Sequence, residues 1–240
     1  MKRIIPLCLA LVMTVGLLTG CGKQNEPAAS DETRLRVVTT IFPEYDWVRE
    51  ILGDKADNAE VTMLLDNGVD LHSYQPTADD IVKISECDLF IYVGGESDDW
   101  VDDALKNAAN KNRKVINLLE ALGERVKTEE AVEGMQEEEH DHDHDHEDTD
   151  EHDDAKEHDN EEEAEYDEHV WLSLKNAQTL CSAISSVLQQ IDPDNKDTYA
   201  ANASAYIKKL SALDADYQAA VNAAACKTVL FGDRFPFRYL

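Results

Sequence analysis

The sequence predicts an α/β protein with a parallel-sheet N-terminal lobe, a long linker helix and an incomplete second α/β lobe. Between residues 35 and 118, β-branched apolar runs alternate four times with segments of helical periodicity, a pattern typical of parallel sheets covered by helices. A purely helical pattern follows residue 169, and a last β-branched run occupies residues 227–231. Together these observations indicate two bodies joined by a helix.

The first twenty residues have the pattern of a secretory signal peptide. A basic start at residues 1–3 precedes an apolar core at residues 4–18, which is shorter than a typical membrane-spanning helix. The sequence Leu-Thr-Gly-Cys that ends at Cys21 looks like a bacterial lipobox, so we expect lipid on Cys21 and anchoring to the outside of the cell membrane. The alternative is an ordinary signal with an incidental cysteine. Residues 21–34 are polar and would form a tether.

Four runs share the β-branched and apolar composition of buried strands. They lie at residues 35–41, 59–65, 88–93 and 114–118. Pro43 opens the helix after the first run. Thr77 and Asp80 have the spacing of a capping box for the next helix, and we expect Ser97 to cap the helix after that.

Two longer helices follow residue 169. Apolar residues recur at intervals of three and four from residue 174 to 191, and again from residue 199 to 221. Asp192 and Pro193 mark the break between them, and the second helix would be about 45 Å long. The predicted boundaries are an N-terminal lobe at 35–192, a linker helix at 193–226 and the start of a second lobe at 227–240.

The chain is strongly acidic, with a net charge of −29, and the absence of a basic cluster argues against a nucleic-acid partner. Much of the charge lies in residues 129–169, where 23 of 41 residues are Asp or Glu and Lys156 alone is basic. Of the eight histidines of the chain, six lie inside this acidic run and His169 closes it. They are His140, His142, His144, His146, His152 and His158.

The acidic run, residues 129–168, is interpreted as a metal-capturing segment. Imidazole nitrogen with carboxylate oxygen is a usual zinc ligand set, and histidine-rich tracts bind metals. Such a segment would bind loosely and discriminate poorly among zinc, copper and nickel. The alternative is a solvated acidic linker. Both interpretations predict a disordered segment when no metal is bound.

The remaining cysteines do not have the spacing of a metal cluster. Past Cys21 they are Cys87, Cys181 and Cys226, and none belongs to a CxxC pair. We therefore expect buried small residues or one optional disulfide.

Two histidines, His72 and His169, are flanked by sequence that is predicted to fold. His72 follows the second predicted strand, and ligands of parallel sheets bind at the carboxyl ends of strands. We expect both imidazoles to ligate one metal ion; the alternative is that each is a hydrogen-bonded loop or cap histidine. Zinc takes three or four ligands. Asp233, after the last predicted strand, is the candidate third ligand, and its alternative role is a salt bridge with Arg234.

Two motifs, GVDLHSYQPT at residues 68–77 and DEHVWL at residues 167–172, stand on either side of the histidine-rich run. With the long helix that follows, their order resembles the zinc/manganese class of ABC-transporter solute-binding lipoproteins (bacterial solute-binding protein family 9) from residue 35 to 240. The resemblance implies two α/β lobes joined by a rigid helix, with metal in the cleft between them. It also implies ligand roles for His72 and His169.

The resemblance further implies what the protein does. It would be a monomeric extracytoplasmic receptor that captures Zn²⁺, with Mn²⁺ as the alternative cargo, and delivers it to a membrane permease. Nitrogen ligands favour zinc over manganese. Cell adhesion is a further expectation of the same resemblance.

The sequence departs from the family pattern at the later ligands. Without gaps, the usual third-ligand position falls on Arg234, which cannot ligate, so the neighbouring Asp233 is the substitute. The fourth ligand, an acidic residue, would lie beyond Leu240. The chain is therefore expected to be truncated within its second lobe; the alternative is that its metal site has been rebuilt.

Two other functions compete with a transport receptor. One is a surface metal buffer that acts through the acidic run. The other is a metallohydrolase, which would need an open metal position and a positioned general base. Neither an HExxH nor a GxSxG pattern occurs, so we predict that the protein is not an enzyme.

Overall fold

The fold is known from a computed structural model that describes part of the chain. The described ranges are residues 34–66, 68–106, 108–128, 166–231 and 236–240. The predicted lipid site Cys21, the six histidines of the acidic run, Asp233 and Arg234 lie outside these ranges. Within them, no helix combines the length and apolarity needed to cross a membrane.

A parallel sheet forms the centre of the fold. Its strands are β1 (Leu35–Thr39), β2 (Ala59–Met63), β3 (Leu89–Tyr92) and β4 (Lys114–Asn117). Their spatial order is β2-β1-β3-β4, and all three pairings are parallel. The predicted α/β class is confirmed. Each strand ends one or two residues earlier than the apolar run predicted, because the following residues enter a loop or, after Asn117, a helix at the carboxyl edge of the sheet.

Helices cover both faces of the sheet. They are α1 (Phe42–Leu52), α2 (Ala78–Glu86), α3 (Trp100–Leu105), α4 (Leu118–Leu122), α5 (Leu174–Ile191) and α6 (Lys196–Ala223). Val37 and Leu89 pack with α1, α5 and α6, whereas Val38 and Phe90 pack with α2 and α3. Neighbouring strand residues thus enter opposite cores, as the period of two in a strand requires.

The capping predictions have mixed outcomes. Thr77 and Asp80 form the predicted capping box at the start of α2. The prediction for Ser97 is wrong. Ser97 lies in a 3-10 turn (Glu96–Asp98), and Asp99 is the residue before α3. The chain leaves β3 through Gly94 and Gly95, both at positive φ, and this turn directs Ser97 away from α3 and towards His72.

The long helix is present, but its apolar stripe is only half covered. α6 has 28 residues, which corresponds to about 42 Å. Tyr199, Ala203 and Leu210 are buried against the rest of the lobe. Further along, the apolar residues of the stripe are between 45 and 50% exposed. They are Leu213, Tyr217 and Val221.

The strand predicted at residues 227–231 and the burial predicted for Cys226 are both wrong. Residues 227–231 do not form a strand, and Leu230 is 95% exposed. A β-branched run becomes a strand only where a neighbouring strand completes its hydrogen-bond ladder, and within the described residues the sheet consists of β2, β1, β3 and β4. Cys87 and Cys181 are buried free thiols, as expected, whereas Cys226 is exposed in the irregular stretch after α6.

Two buried carboxyl groups hold the loops at the sheet edge. Glu44, in the first turn of α1, accepts the backbone N–H groups of Thr40 and Ile41 at 2.8 and 3.3 Å. Asp98, after β3, accepts the N–H of Gly94 at 2.9 Å. Burial and the charge of Asp98 raise the pKa of Glu44 well above its usual value. Burial, with the charge of Glu168, raises the pKa of Asp98 to about 6.

Asp98→Asn should therefore stabilise the fold above pH 6. A carboxyl whose pKa is raised by folding binds its proton more readily when folded, so its contribution to stability falls as pH rises from 3.8 to about 6. The asparagine keeps an acceptor for Gly94 and removes this penalty, which is at most about 3 kcal/mol.

Urea unfolding between pH 4 and pH 7.5 measures the effect. The exposed Asp57→Asn is the matched control and should change little at any pH. A constant difference between Asp98→Asn and the native chain across this range would contradict the assignment.

Candidate metal centre

His72 is held in a short turn beyond β2. The turn is a 3-10 helix (Leu71–Ser73), and the Asp70 carboxylate accepts the backbone N–H of His72 at 3.0 Å. Leu71 is buried in the core and anchors the turn. The His72 side chain keeps 28% of its surface exposed, so its imidazole remains accessible.

His169 lies immediately before a turn that leads into α5. The Asp167 carboxylate accepts the backbone N–H of His169 at 2.9 Å and contacts its ring Nδ1 at 3.0 Å. The other oxygen of Asp167 pairs with Arg238 Nε at 3.3 Å. Burial raises the pKa of Asp167, but the hydrogen bonds from His169 and the charges of His169 and Arg238 outweigh it, so that pKa lies below its usual value. An anionic partner at Nδ1 favours the tautomer whose Nε2 can bind a metal.

The structure brings His72 and His169 together. Their ring centres are 5.6 Å apart and the ring planes are inclined by 50°. Two imidazoles on one tetrahedral Zn²⁺, with Zn–N bonds of about 2.05 Å, would place their ring centres roughly 5 Å apart. Both rings line one cavity of about 250 Å³ whose other walls are largely apolar, including Phe42, Leu65 and Trp171. The separation of the rings therefore fits two ligands of one ion.

The two imidazoles do not form a complete metal site by themselves. Within the described ranges, no group of three or more His, Cys, Asp or Glu side chains has the geometry to hold a metal ion. The third ligand predicted at Asp233 lies outside those ranges, so the ligand roles of His72, His169 and Asp233 all stay predictions.

The acidic run begins and ends beside this pair. Thr128 and Tyr166 form an antiparallel bridge, and the N–H of Asp167 donates to Lys127 O at 2.9 Å. Tyr239 joins the same two segments. Its hydroxyl donates to Asp167 O and accepts the N–H of Lys127, each at 2.8 Å. Lys127 and Thr128, which precede the run, thus pair with residues two and three positions before His169.

Ser97 and Glu168 also belong to the site, although the sequence analysis assigned them no role there. Ser97 Oγ lies 2.8 Å from His72 Nδ1, and the Ser97 N–H donates to Glu168 Oε1 at 2.9 Å. The other carboxylate oxygen, Oε2, lies 3.8 Å from His72 Nδ1. Two signals could have found them: Glu168 is part of the DEHVWL motif, and Ser97 follows a strand at the carboxyl edge.

Comparison with known proteins agrees with this architecture. Residues 37–240 match the family described as ZnuA, zinc-uptake complex component A periplasmic. The chain belongs to this family. The resemblance inferred from the two histidine motifs is therefore confirmed.

Individual members of the ZnuA family cover most of the chain. The zinc-binding lipoprotein AdcA of Streptococcus pneumoniae is 32% identical over 228 residues, which are 95% of this chain and 40% of that protein. The high-affinity zinc uptake system protein ZnuA of Bacillus subtilis is 33% identical over 213 residues, which are 88% of this chain and 60% of that protein. The chain thus spans about 40 to 60% of the length of these relatives.

Solved structures give the same result for the fold. The Zn(II)-bound AdcA of Streptococcus pneumoniae aligns with a TM-score of 0.57 at 29% identity, over 80% of this chain and 33% of that one. The metal-dependent lipoprotein YcdH of Bacillus subtilis aligns with a TM-score of 0.58 at 29% identity, over 80% of this chain and 57% of that one.

Gly95→Ala should destabilise the site and the lobe together. Gly95 has φ +85°, and a Cβ there would lie 2.3 Å from Glu168 Oε1, so the carboxylate would have to leave the Ser97 N–H. We expect a loss of about 2–3 kcal/mol in the free energy of unfolding, measured with urea.

Gly123→Ala is the matched control for backbone strain. Gly123 also has positive φ, +54°, but among the described residues no atom beyond its chain neighbours lies within 4 Å of an added Cβ, so backbone strain alone should cost about 1–2 kcal/mol. Equal losses in the two variants would show that the contact with Glu168 contributes nothing.

Proposed function

We propose that this chain captures Zn²⁺ outside the cytoplasm as the binding component of a zinc importer, and delivers the ion to a membrane permease. The observation that carries the proposal is the pair of imidazoles, His72 and His169, whose ring centres are 5.6 Å apart. The names of the relatives, a zinc-binding lipoprotein and a high-affinity zinc uptake system protein, support the same cargo. Lipid on Cys21 would hold the receptor at the membrane.

Capture requires only an exchange of ligands on the ion. At neutral pH a neutral imidazole offers one nitrogen lone pair, and Asp167 at Nδ1 of His169 leaves that lone pair on Nε2. Zn²⁺ would exchange water for Nε2 of each histidine, and we propose Asp233 as the next ligand. No covalent bond of a substrate is made or broken, so the protein acts as a receptor. Two nitrogen ligands favour Zn²⁺ over Mn²⁺, which prefers oxygen.

The acidic run would raise the local concentration of cations beside the pair. Its negative charge attracts cations, and its last residues are joined to the segment that bears His169. Because a flexible segment loses conformational entropy at each binding event, the run would bind more weakly than the histidine pair. The cell-adhesion expectation and the monomeric state stay predictions.

Replacing either His72 or His169 with Ala should abolish tight zinc binding. The variants are made in a chain whose residues 129–165 are replaced by Asn-Gly, which the bridge between Thr128 and Tyr166 allows. This deletion spares Asp167 and Glu168, which hold the imidazoles. Each variant should bind zinc at least about 100-fold more weakly, since a lost ligand costs more than a lost outer-shell partner.

Competition with a chromophoric chelator measures the affinity in that experiment. In the intact chain, His158→Ala is the matched control and should leave the tight site unchanged. Tight binding that survives both His72→Ala and His169→Ala would rule out a site at the histidine pair.

Replacing the six histidines of the acidic run with Asn separates the receptor from a metal buffer. A receptor should lose several weak sites and keep one tight site, because the acidic run contains neither His72 nor His169. A buffer should lose nearly all binding. Equilibrium dialysis against graded free zinc gives both the number of sites and their affinities, and loss of the tight class would favour the buffer.

A further inference from the structure

One buried carboxylate, Glu168, joins three segments that are distant in the sequence. It stands beside His169 and is 5% exposed. Its Oε1 accepts the N–H of Ser97, 71 residues away. Its Oε2 faces the ring of His72 at 3.8 Å from Nδ1. The loops after β2 and β3 and the segment before α5 therefore meet at this side chain.

The surroundings of His72 Nδ1 determine which ring nitrogen carries the proton. Ser97 Oγ lies 2.8 Å from Nδ1 and can either donate or accept a hydrogen bond. Glu168 Oε2, at 3.8 Å, is buried and has no hydrogen-bond partner within the described residues. A lone pair on Nδ1 would face this carboxylate oxygen and be repelled, whereas an N–H would be attracted. The arrangement therefore favours Nδ1–H donating to Ser97 Oγ, with the lone pair on Nε2.

We infer that Ser97 and Glu168 are positioning residues that hold the His72 imidazole as the Nδ1–H tautomer, with Nε2 ready to bind a metal before it arrives. The inference rests on the proposed function, because it concerns one of the proposed ligands. Hydrogen bonds to the second nitrogen commonly orient metal-binding histidines. Here a hydroxyl and a carboxylate would share that role.

The segment before α5 approaches both imidazoles, with one carboxylate near each ring. Asp167 contacts Nδ1 of His169 directly, and the adjacent Glu168 serves His72 together with Ser97. Gly95 makes the second contact sterically feasible, because a Cβ at that position would overlap Glu168 Oε1. A shift of the segment before α5 would therefore disturb both ligands at once.

The first test reads the tautomer of His72 in the intact, metal-free chain. Long-range proton–nitrogen spectra of ¹⁵N-histidine-labelled protein at pH 7.5, assigned with His72→Ala, distinguish Nδ1–H from Nε2–H. We expect Nδ1–H in the native chain, a shift towards Nε2–H in Ser97→Ala and Glu168→Gln, and retention of Nδ1–H in Ser97→Thr, which keeps the hydroxyl. Ser186→Ala and Glu124→Gln, both at exposed positions, are matched controls.

The second test measures zinc affinity in the intact chain with the chelator competition. Ser97→Ala and Glu168→Gln should each weaken the tight site by about 10- to 100-fold, and Ser97→Thr should stay close to the native affinity. Near-ultraviolet circular dichroism checks that each variant is folded. Should a variant fail to fold, the tautomer of the native chain and of Ser97→Thr still decides the question.

An Nε2–H tautomer of His72 in the native chain would overturn the inference, and so would unchanged tautomer and affinity in Ser97→Ala and Glu168→Gln. Failure of the proposed function has a different signature. In that case His72→Ala leaves zinc affinity unchanged, while the tautomer spectra of the metal-free chain still report whether Ser97 and Glu168 set the ring.

Discussion

The loops at the carboxyl edge of the sheet depend on buried carboxylates that accept their backbone N–H groups. Backbone N–H groups in these loops need acceptors, because leaving them unpaired in the interior is costly. Four buried acidic side chains accept these groups in the loops and turns of the site. They are Glu44, Asp98, Asp167 and Glu168. Asp167 thereby holds the backbone of His169, and Glu168 holds the Ser97 loop beside His72.

This arrangement has an electrostatic cost. Burial raises the pKa of Glu44 and of Asp98 because a charged carboxylate is poorly solvated there. Where these carboxyl groups are ionised, their charge would attract a cation to the edge of the sheet. Burial also raises the pKa of Asp167, but hydrogen bonds from His169 and the charge of Arg238 outweigh it. A divalent ion held by the histidines would reduce the repulsion among the carboxylates nearby, so binding and local stability would be coupled.

The proposed function would place two kinds of metal chemistry side by side in this chain. The acidic run carries many imidazoles and carboxylates, and it would capture metal weakly and with little selectivity. The pair formed by His72 and His169 would offer few ligands, but Asp167 and Ser97 contact their rings at Nδ1. Pre-organised ligands lose less entropy on binding. The bridge between Thr128 and Tyr166 lies three residues before His169 and would hold the acidic run next to the pair.

The sequence by itself determined the α/β class and the parallel sheet, and it identified His72 and His169 as candidate ligands, because each of these depends on local patterns. Strand runs, capping boxes and helical periodicity are short-range signals, and the motifs around His72 and His169 are contiguous. Only the tertiary structure placed Ser97 and Glu168 beside His72, since this depends on contacts between residues 25 and 71 positions apart. It also decided that residues 227–231 are not a strand, because strand formation requires a partner that no local pattern specifies.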